Sequence, residues 1–275
     1  MLQDLEFGRL ENEYRPVPPG ERDYVLCFRG QDVLLHRSED NELALPTVAE
    51  LPDGTLQYAF RLHDRNYYLM TGDGSEEKAP FAYERARGLR QTVSKAVCYA
   101  VLTGWHLYNW YRSNRFCGGC GAETVHDTRE RMLRCPVCGN MIFPRINPAV
   151  ITAVTDGDRL LLSRYAGRVH TSYALLAGYA EIGETIEQTV QREVLEEVGL
   201  KVKNLRYYKS QPWGVDGNIL MGFFCDLDGD DTISIDETEL SHAGWYDRHS
   251  LPAQDDGFSL TREMIRIFGE GKEPK

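Results

Sequence analysis

Residues 178–200 read GYAEIGETIEQTVQREVLEEVGL and fit the pattern G-x5-E-x7-R-E-V-x-E-E-x-G-L, in which nine positions are specified at fixed offsets. Glu193, Glu196 and Glu197 lie at i, i+3 and i+4, so a helix would present all three carboxylates on one face. Like charges at this spacing repel one another, whereas a bound divalent cation would be attracted by their carboxylate oxygens. The pattern therefore predicts a helical site for a divalent cation.

The same segment carries signals for both ends of this helix. Thr185 and Gln188 form a capping box, and Gly199 is a C-terminal stop signal. An apolar stripe recurs every fourth residue between them, at Ile186, Val190, Val194 and Val198. Arg192 follows Glu184 by eight residues, and we expect it to link this loop carboxylate to the helix. The alternative is a solvated acidic helix face, which the coincidence of loop glycines, arginine and carboxylates disfavours.

The composition is that of an ordinary globular protein, with 42% hydrophobic and 27% charged residues. A length of 275 residues suggests two domains. No stretch approaches about 18 uninterrupted apolar residues, and the acidic N-terminus lacks signal-peptide features, so we expect a cytoplasmic protein without a membrane partner. The net charge of −11 argues against broad, sequence-independent binding of nucleic acid, which relies on a basic surface.

Four of the seven cysteines form two Cys-x2-Cys pairs separated by 14 residues, namely Cys117, Cys120, Cys135 and Cys138. This spacing is typical of a zinc ribbon, and four thiolates predict a closed, structural Zn²⁺ site. Gly121 and Gly139 follow the pairs and would allow tight turns in which backbone amides approach sulfur. Disulfide bonds are the alternative, which a reducing compartment disfavours.

The sequence pattern divides the chain into three parts. Residues 1–112 contain short β-type runs and then an apolar-periodic stretch from Gly88 to Arg112, which predicts one helix or two joined near Gly104. Residues 113–143 hold the cysteine pairs. Residues 144–275 alternate strands and helices in a mixed pattern that is consistent with an α/β/α layered domain.

The segment 178–200 resembles the Nudix box, the signature of the Nudix hydrolases, without a mismatch. Together with the cysteine ribbon, the junction 143–148 and the sequence SQPW at 210–213, it is similar to the NADH pyrophosphatase branch of that family. This resemblance implies an α/β fold, specifically a Nudix α/β/α sandwich with a zinc ribbon and an N-terminal β-rich domain. It also implies a homodimer with catalytic Mg²⁺ or Mn²⁺ and structural Zn²⁺ that splits NADH or NAD into nicotinamide mononucleotide and AMP. Some members remove NAD caps from RNA.

The resemblance assigns roles to individual residues. Glu193, Glu197 and Glu239 would bind the catalytic metal, together with the carbonyl oxygen of Ala177. Glu196 would be a further ligand or the base that activates water, and Arg192 would orient the cluster together with Glu184. The implied substrate-binding residues are Phe143, Tyr179, Gln211, Trp213, Thr261, Glu130 and Arg90. Tyr179 and Phe143 would contact adenine, the latter from the partner subunit.

Several of these roles have structural alternatives. Trp213 could be a core aromatic residue, Phe143 could pack the ribbon, and Glu239 could be a solvated turn carboxylate. The branch usually continues SQPW with Pro-Phe-Pro-x-Ser, whereas this chain has the flexible and longer Gly214–Asn218. Preference among NADH, NAD, ADP-ribose-like compounds, dinucleoside polyphosphates and NAD-capped RNA therefore stays open. A rival of another class is a non-catalytic nucleic-acid-binding protein that uses its zinc ribbon.

Overall fold

The computed structural model describes all residues other than 7, 39, 41, 52–53, 72–76, 78, 168–171 and 253–255. The chain divides into two compact units. The N-terminal unit comprises Leu2–Arg145 and Trp213–Gly217, and the C-terminal unit comprises Met1, Ile146–Pro212 and Asn218–Lys275. We predicted boundaries after residues 112 and 143, and this three-part division stays a prediction. The ribbon belongs to the same compact unit as the N-terminal strands.

The N-terminal unit begins with short strands that form two sheets. These strands are β1 (Leu10–Glu11), β2 (Tyr24–Leu26), β3 (Phe28–Arg29), β4 (Asp32–Arg37), β5 (Leu43–Ala44), β6 (Thr55–Leu62), β7 (Arg65–Thr71) and β8 (Phe81–Arg85). One sheet has the order β1-β6-β7-β2, and in the other β4 pairs with β3, β5 and β8. Buried apolar side chains such as Val25, Cys27 and Leu34 form a core of this unit. The predicted β-rich character of this part is confirmed.

A long helix follows these strands, as the apolar periodicity predicted. It is α1 (Lys95–Ser113), which is preceded by the 3-10 helix Ala86–Gln91 and capped by the side chain of Ser94. The helix continues through Gly104, where a Cβ atom would lie 2.3 Å from Cδ1 of Leu26. The glycine therefore permits close packing and does not divide the helix.

The cysteine pairs lie on a small antiparallel sheet after α1. Its strands are β9 (Val125–His126), β10 (Leu133–Arg134) and β11 (Met141–Ile142), in the order β11-β10-β9. Each strand has only two residues, so the sheet alone buries little apolar area. A fold of this size depends on a metal for much of its stability.

The C-terminal unit is built on a six-stranded mixed sheet. Its elements are β12 (Asn147–Asp156), β13 (Arg159–Tyr165), β14 (Leu176–Tyr179), α2 (Ile186–Val198), β15 (Val202–Trp213), β16 (Asn218–Leu227), β17 (Leu240–Asp247) and α3 (Leu260–Gly269). The strand order is β15-β16-β12-β13-β17, and β14 pairs with β12. The last residue of β15, Trp213, falls in the N-terminal unit.

Strand β12 explains why this unit has three layers. Val150 and Val154 point into a core shared with α2, whereas Ile151 and Ala153 point into a core shared with α3. Successive side chains of a strand point to opposite faces, so a central strand with a helix on each face is apolar on both. The predicted α/β/α sandwich is confirmed. No helix in the described part of the chain has the length and apolarity needed to span a bilayer.

Strand β14 was not predicted, because we interpreted the segment 176–184 as a glycine-containing loop. Residues Leu176–Tyr179 instead pair antiparallel with Ala149–Thr152 of β12. The loop is therefore shorter than predicted and connects the end of β14 directly to α2. This pairing fixes the position of the backbone that faces the acidic side of α2.

Candidate active site

The boundaries of helix α2 agree with the sequence prediction. The backbone N–H of Gln188 donates to the Thr185 hydroxyl oxygen at 3.2 Å, and the Thr185 N–H donates to the Gln188 side-chain oxygen at 2.8 Å. At the other end Gly199 adopts the left-handed conformation with φ 72°. Val190, Val194 and the neighbouring apolar residues of the stripe are buried against the sheet. Local capping and an apolar stripe thus hold the helix in place.

The three helical glutamates differ in burial, although their spacing places them on one side of α2. Glu193 and Glu197 are buried, whereas the side chain of Glu196 is 59% exposed. Residues at i and i+4 lie on one face of a helix, and that face points toward the sheet. Glu196, three residues after Glu193, lies at the exposed edge of this face. Two carboxylates are therefore enclosed, and the third lies at the rim.

Gly178 makes room for one of the buried carboxylates. A Cβ atom at this position would lie 1.8 Å from Cδ of Glu193. The backbone of β14 thus occupies one side of the carboxylate, and any side chain at residue 178 would displace it. In the structure this glycine permits the close approach of Glu193.

Arg192 connects the helix to the preceding loop, as predicted. Its Nε donates to Oε1 of Glu184 at 2.6 Å, and its Nη1 donates to Glu193 and Glu196, each at 2.8 Å. Its Nη2 donates to the carbonyl oxygen of Tyr179 at 2.8 Å. One guanidinium therefore holds three carboxylates and the end of β14 in a fixed arrangement.

The loop carboxylate of Glu184 is strongly stabilised in its charged form. Hydrogen bonds from Arg192, then from the backbone N–H of Glu181, lower the pKa of Glu184 to about 2. The hydroxyl of Thr189, which is fully buried, also donates to Glu184 at 3.0 Å. Glu184 thus has its charge balanced by fixed donors and is suited to positioning Arg192.

Glu197 has the opposite environment. It is 1% exposed, and neither of its carboxylate oxygens has a hydrogen-bond partner of ordinary geometry in the described structure. Burial, followed by the charges of Glu193 and Glu239, raises the pKa of Glu197 to about 8, although the nearby backbone of Ala177 opposes this rise. Burial likewise raises the pKa of Glu193. Buried charges without partners are costly, so this pair fits a site that receives a cation.

Two further predicted metal ligands lie beside this pair. The backbone of Ala177 is close enough to Glu197 to affect its pKa, and the charge of Glu239 raises the pKa of both buried glutamates. Glu239 is exposed and lies in the turn before β17, where its N–H donates to the Asp236 carbonyl at 3.1 Å. Their assignment as ligands of a divalent cation stays a prediction, and oxygen donors of this kind are those that a hard cation prefers.

The cysteines form a second and tighter cluster. Their sulfurs lie within 4.8 Å of one another, with Cys117–Cys138 at 3.6 Å and Cys120–Cys135 at 3.4 Å. Four sulfurs bound tetrahedrally at Zn–S distances of about 2.3 Å would be separated by about 3.8 Å. These separations exceed the S–S bond of about 2.05 Å, so the disulfide alternative is excluded for these pairs. The four cysteines fit a structural Zn²⁺ site.

The turns around the cysteines prepare their thiols for a metal. Backbone N–H groups of Gly119 and Cys120 lower the pKa of Cys117 to about 6. Gly121 and Gly139 have φ of 75° and 76°, the left-handed conformation that lets each turn close. Among the described residues, these four cysteines form the group of possible metal ligands whose ligand atoms all lie within 4.8 Å of one another.

The predicted substrate residues of the C-terminal unit differ in accessibility. The Tyr179 ring is 50% exposed, and its hydroxyl donates to Oδ1 of Asn218 at 3.1 Å. Thr261 is half-buried in the first turn of α3. Gln211 is fully buried, with its amide bonded to the Phe258 carbonyl at 2.7 Å and the Leu260 N–H at 2.8 Å. This environment favours a role for Gln211 in anchoring α3 over the predicted contact with substrate.

The remaining predicted substrate residues lie in the N-terminal unit. The guanidinium of Arg90 lies 4.6 Å from the ring centroid of Trp213, so these two predicted residues are in contact. Trp213 Nε1 donates to Asp216 at 3.1 Å, and Arg87 also pairs with Asp216. Phe143 is 53% exposed at the end of the ribbon, and Glu130 is exposed in a ribbon turn.

The atypical loop as far as Gly217 is held closely in this unit, whereas Asn218 belongs to the C-terminal unit. A Cβ atom on Gly214 would lie 2.1 Å from the carbonyl oxygen of Leu102 in α1, and Val215 is buried. We had predicted a flexible loop here. The contacts of Asp216 and the close approach of Gly214 instead describe a segment with defined packing.

Sequence reasoning missed three residues that position this site. Asn218 bonds to Tyr179, Thr189 bonds to Glu184, and Asp216 bonds to Trp213 and Arg87. Asp216 and Asn218 lie in the loop that departs from the family pattern, so that departure was the available signal. Thr189 carried no signal, because a threonine inside a helix is unremarkable in sequence.

Comparisons with known proteins agree with this geometry. The family model of the NUDIX domain matches residues 145–267, and the model of the NADH pyrophosphatase zinc ribbon domain matches residues 112–143. The NAD-capped RNA hydrolase NudC of Citrobacter koseri is 34% identical over 234 residues, which cover 83% of this chain and 90% of that protein. The protein of the same name from Pectobacterium atrosepticum is 41% identical over 162 residues, or 59% of this chain and 62% of the relative.

A solved NUDIX hydrolase structure from Nitrosomonas europaea shares 23% sequence identity, covers 57% of this chain and 91% of its own, and has a TM-score of 0.49. The three-layer unit with its acidic helix and the sequence matches define the class, and the chain belongs to the Nudix hydrolases. Its zinc ribbon places it in the NADH pyrophosphatase branch of that family.

Proposed function

We propose that this protein hydrolyses the pyrophosphate of NADH or NAD and releases nicotinamide mononucleotide and AMP. The observation that carries the proposal is Glu197, a fully buried carboxylate without a hydrogen-bond partner in the described residues, beside buried Glu193. Such a pair is suited to a divalent cation, and a cation is what the pyrophosphate group needs to balance its charge. The choice of a nicotinamide dinucleotide is supported by the zinc-ribbon match and by the names of the relatives.

Mg²⁺ or Mn²⁺ would be held by Glu193 and Glu197, with Glu239 and the Ala177 carbonyl as further donors. When bound, the cation would neutralise the bridging phosphates and lower the pKa of a coordinated water. The protein restricts the positions of these donors before a cation binds, because the backbone at Gly178 packs against Glu193 and because Glu197 is buried. A site of this kind stabilises the charge that develops on the leaving phosphate.

Glu196 is the group that we assign to proton transfer. Its carboxylate is largely exposed and bonded to Arg192 at 2.8 Å, so it lies at the rim where a water molecule can enter. It would accept a proton from the attacking water, while Arg192 and Glu184 keep it in position. The exposed Tyr179 ring would stack on the adenine, oriented by Asn218. Trp213, Arg90, Phe143, Glu130 and Thr261 stay predicted contacts of the dinucleotide.

The proposal is tested by product analysis with NADH, NAD, ADP-ribose, diadenosine polyphosphates and NAD-capped RNA, each with Mg²⁺ and with Mn²⁺. We expect NADH to yield AMP and reduced nicotinamide mononucleotide, and Glu196→Gln to remove this activity while the fold is retained. Absence of hydrolysis of every compound with both metals would contradict the proposal. If that result came with RNA binding that persists in EDTA, the non-catalytic alternative would be favoured.

NAD-capped RNA is a second candidate substrate. It is favoured by the relatives that carry the name NAD-capped RNA hydrolase. The altered Gly214–Asn218 segment is relevant to this choice of substrate. Its Asp216 accepts a hydrogen bond at 3.1 Å from Trp213, which is a predicted contact of the dinucleotide. Relative values of kcat/KM for NADH and for NAD-capped RNA decide between the two substrates. ADP-ribose and dinucleoside polyphosphates serve as further competitors in the same assay.

The proposal includes a homodimer in the cytoplasm. Large apolar side chains of the ribbon, including Phe116, Val137, Met141 and Phe143, are each more than half exposed, which suits contact with a second copy. The seven cysteines are thiols and not parts of disulfide bonds in the structure, which suits a reducing compartment. Light scattering tests the dimer, and a monomer at assay concentration would contradict it.

A further inference from the structure

The N-terminal unit contains a cleft that the proposed reaction does not use. It has a volume of about 740 Å³ and lies among β3, β7, the C-terminal half of α1 and the ribbon. Pockets that bind small ligands typically have volumes of about 300–1,000 Å³. The polar and aromatic side chains that line it include Arg29, Arg112, Arg115, Tyr108, Tyr111 and His126. The cleft is therefore large enough for nucleotide-sized groups.

The charge of the cleft is opposite to that of the whole protein. Three arginines and one glutamate line it, in a chain whose net charge is −11. The glutamate, Glu123, pairs with Arg115 at 3.1 Å. Arg112 is exposed and has no acidic partner in the described residues, and its guanidinium lies 5.8 Å from the Tyr108 ring centroid. A local positive field of this kind attracts anions.

Aromatic rings lie on the same side of α1 as two of these arginines. Tyr108, Tyr111, Arg112 and Arg115 recur at steps of three, one and three residues, so they share one side of α1 and its C-terminal extension. The ring centroids of Tyr108 and Phe28 lie 5.2 Å apart, and those of Tyr111 and the exposed His126 lie 4.7 Å apart. Rings beside guanidinium groups suit single-stranded nucleic acid, because bases stack on rings and phosphates pair with arginine.

We propose that this cleft binds a short segment of single-stranded RNA. The choice of RNA as the polymer rests on the proposed function, in its form with NAD-capped RNA as substrate, whereas the site itself rests on the lining residues. Three arginines against one glutamate make the cleft locally basic, so RNA binding there is compatible with an acidic protein. Arg112 and Arg115 would contact phosphates, and His126 with Tyr111 would stack on a base.

The test is fluorescence anisotropy with a labelled, uncapped single-stranded RNA of about ten nucleotides, within the site sizes of single-strand-binding folds. The full-length, zinc-loaded protein is measured without Mg²⁺ or Mn²⁺, so that hydrolysis does not contribute. We expect Arg112→Glu to weaken the RNA affinity about tenfold and to reduce the salt dependence by about one phosphate contact. His126→Ala should weaken it about fivefold, and His126→Phe should retain it, because a ring is kept.

Arg129→Glu is the matched control, since it makes the same charge change at an exposed ribbon arginine outside the cleft. It should leave the RNA affinity within about twofold, because Arg129 is not among the residues that line the cleft. Equal effects of Arg112→Glu and Arg129→Glu, or duplex RNA bound as tightly as single-stranded RNA, would overturn the proposal.

Hydrolysis of NADH is measured in parallel on the same variants. Normal NADH turnover together with RNA binding that ignores Arg112 refutes the cleft and leaves the proposed activity standing. Absent NADH turnover together with RNA binding that depends on Arg112 refutes the activity and leaves the cleft. The two failures are thus distinguishable.

Discussion

Two buried glutamates on opposite faces of the same sheet have opposite environments. Glu263 of α3 is 6% exposed and accepts hydrogen bonds from Tyr208 and Lys209, each at 2.7 Å, with the Met1 amino group at 3.3 Å. Although burial opposes it, these donors lower the pKa of Glu263 to about 2. Glu197 of α2 is 1% exposed and has no such donors in the described structure, and its pKa rises to about 8.

The difference separates a structural charge from a functional one. Both residues are glutamates in amphipathic helices, so their residue type and helical position do not distinguish them. The protein balances the charge of Glu263 with its own donors, and a balanced buried ion has little need of an external partner. The carboxyl of Glu197, whose pKa burial raises to about 8, would be held in its charged form by a bound cation. The candidate metal site is thus distinguished by a buried carboxyl that has no hydrogen-bond donors in the described structure.

The largest expected effect comes from neutralising each glutamate in turn. Glu197→Gln should lower turnover of the dinucleotide at least about a hundredfold, because a donor that balances transition-state charge is lost. Glu263→Gln should leave turnover unchanged and lower the free energy of unfolding by about 1–3 kcal/mol, since charged hydrogen bonds are weakened. Steady-state kinetics and denaturant unfolding of both variants measure these effects. Equal losses of turnover would show that the comparison is wrong.

A smaller effect is expected from filling the space beside Glu193. Gly178→Ala places a Cβ atom where the Glu193 carboxylate lies, so the carboxylate must shift and turnover should fall about tenfold or more. Gly88→Ala is the control, because its Cβ atom would meet only Arg85 Cβ at an ordinary 3.7 Å. Turnover is measured at saturating metal. A Gly178→Ala variant with full activity would indicate that Glu193 need not be held in place.

Thermal unfolding tests whether Glu197 is the acceptor of the cation. Mg²⁺ or Mn²⁺ at a hundred times its Kd stabilises a protein by about 2.7 kcal/mol if it binds only the folded state. We expect this stabilisation in the wild-type protein and in Glu263→Gln, and we expect it to be lost in Glu197→Gln. Calorimetry with and without metal measures it. A metal-induced shift of wild-type size in Glu197→Gln would remove Glu197 from the ligand set.

The smallest expected effect is on the pH dependence of the free energy of unfolding, measured without Mg²⁺ or Mn²⁺. The two glutamates should contribute to it with opposite signs. The folded-state pKa of Glu263 lies below its ordinary value of 4.5, so its contribution to stability is present above pH 4.5 and is lost as the pH falls toward 2. The folded-state pKa of Glu197 lies above 4.5, so stability falls as the pH rises from 4.5 toward 8. Each slope should flatten in the corresponding Gln variant when unfolding of the zinc-loaded protein is followed without added Mg²⁺ or Mn²⁺. Unchanged slopes would contradict the assigned environments.

Local features of the fold were predictable from sequence. The ends of α2 agree with the prediction, because the capping box of Thr185 and Gln188 and the left-handed Gly199 each act within the helical turn at their own end. The zinc site was likewise predictable from the spacing of the cysteines, since each cysteine pair closes a short turn. The continuity of α1 through Gly104 was left open in sequence, because it depends on how closely Leu26 packs against the helix.

Features that depend on tertiary contacts were not predictable in the same way. Strand β14 has only four residues and is stabilised by pairing with β12, so its own sequence carried a weak signal. The separation of Glu196 from buried Glu193 and Glu197 follows from the sheet that covers one side of α2. Gln211 was assigned to substrate by its place in a motif, whereas its burial against α3 depends on residues nearly 50 positions away.

The five-residue segment Trp213–Gly217 has a consequence for how the protein can be divided. It belongs to the N-terminal unit, although the chain on both sides of it belongs to the C-terminal unit. A truncation before Ile146 would remove the α1 backbone that Gly214 approaches. Excision at the ribbon boundary would therefore separate the N-terminal unit from one of its own segments.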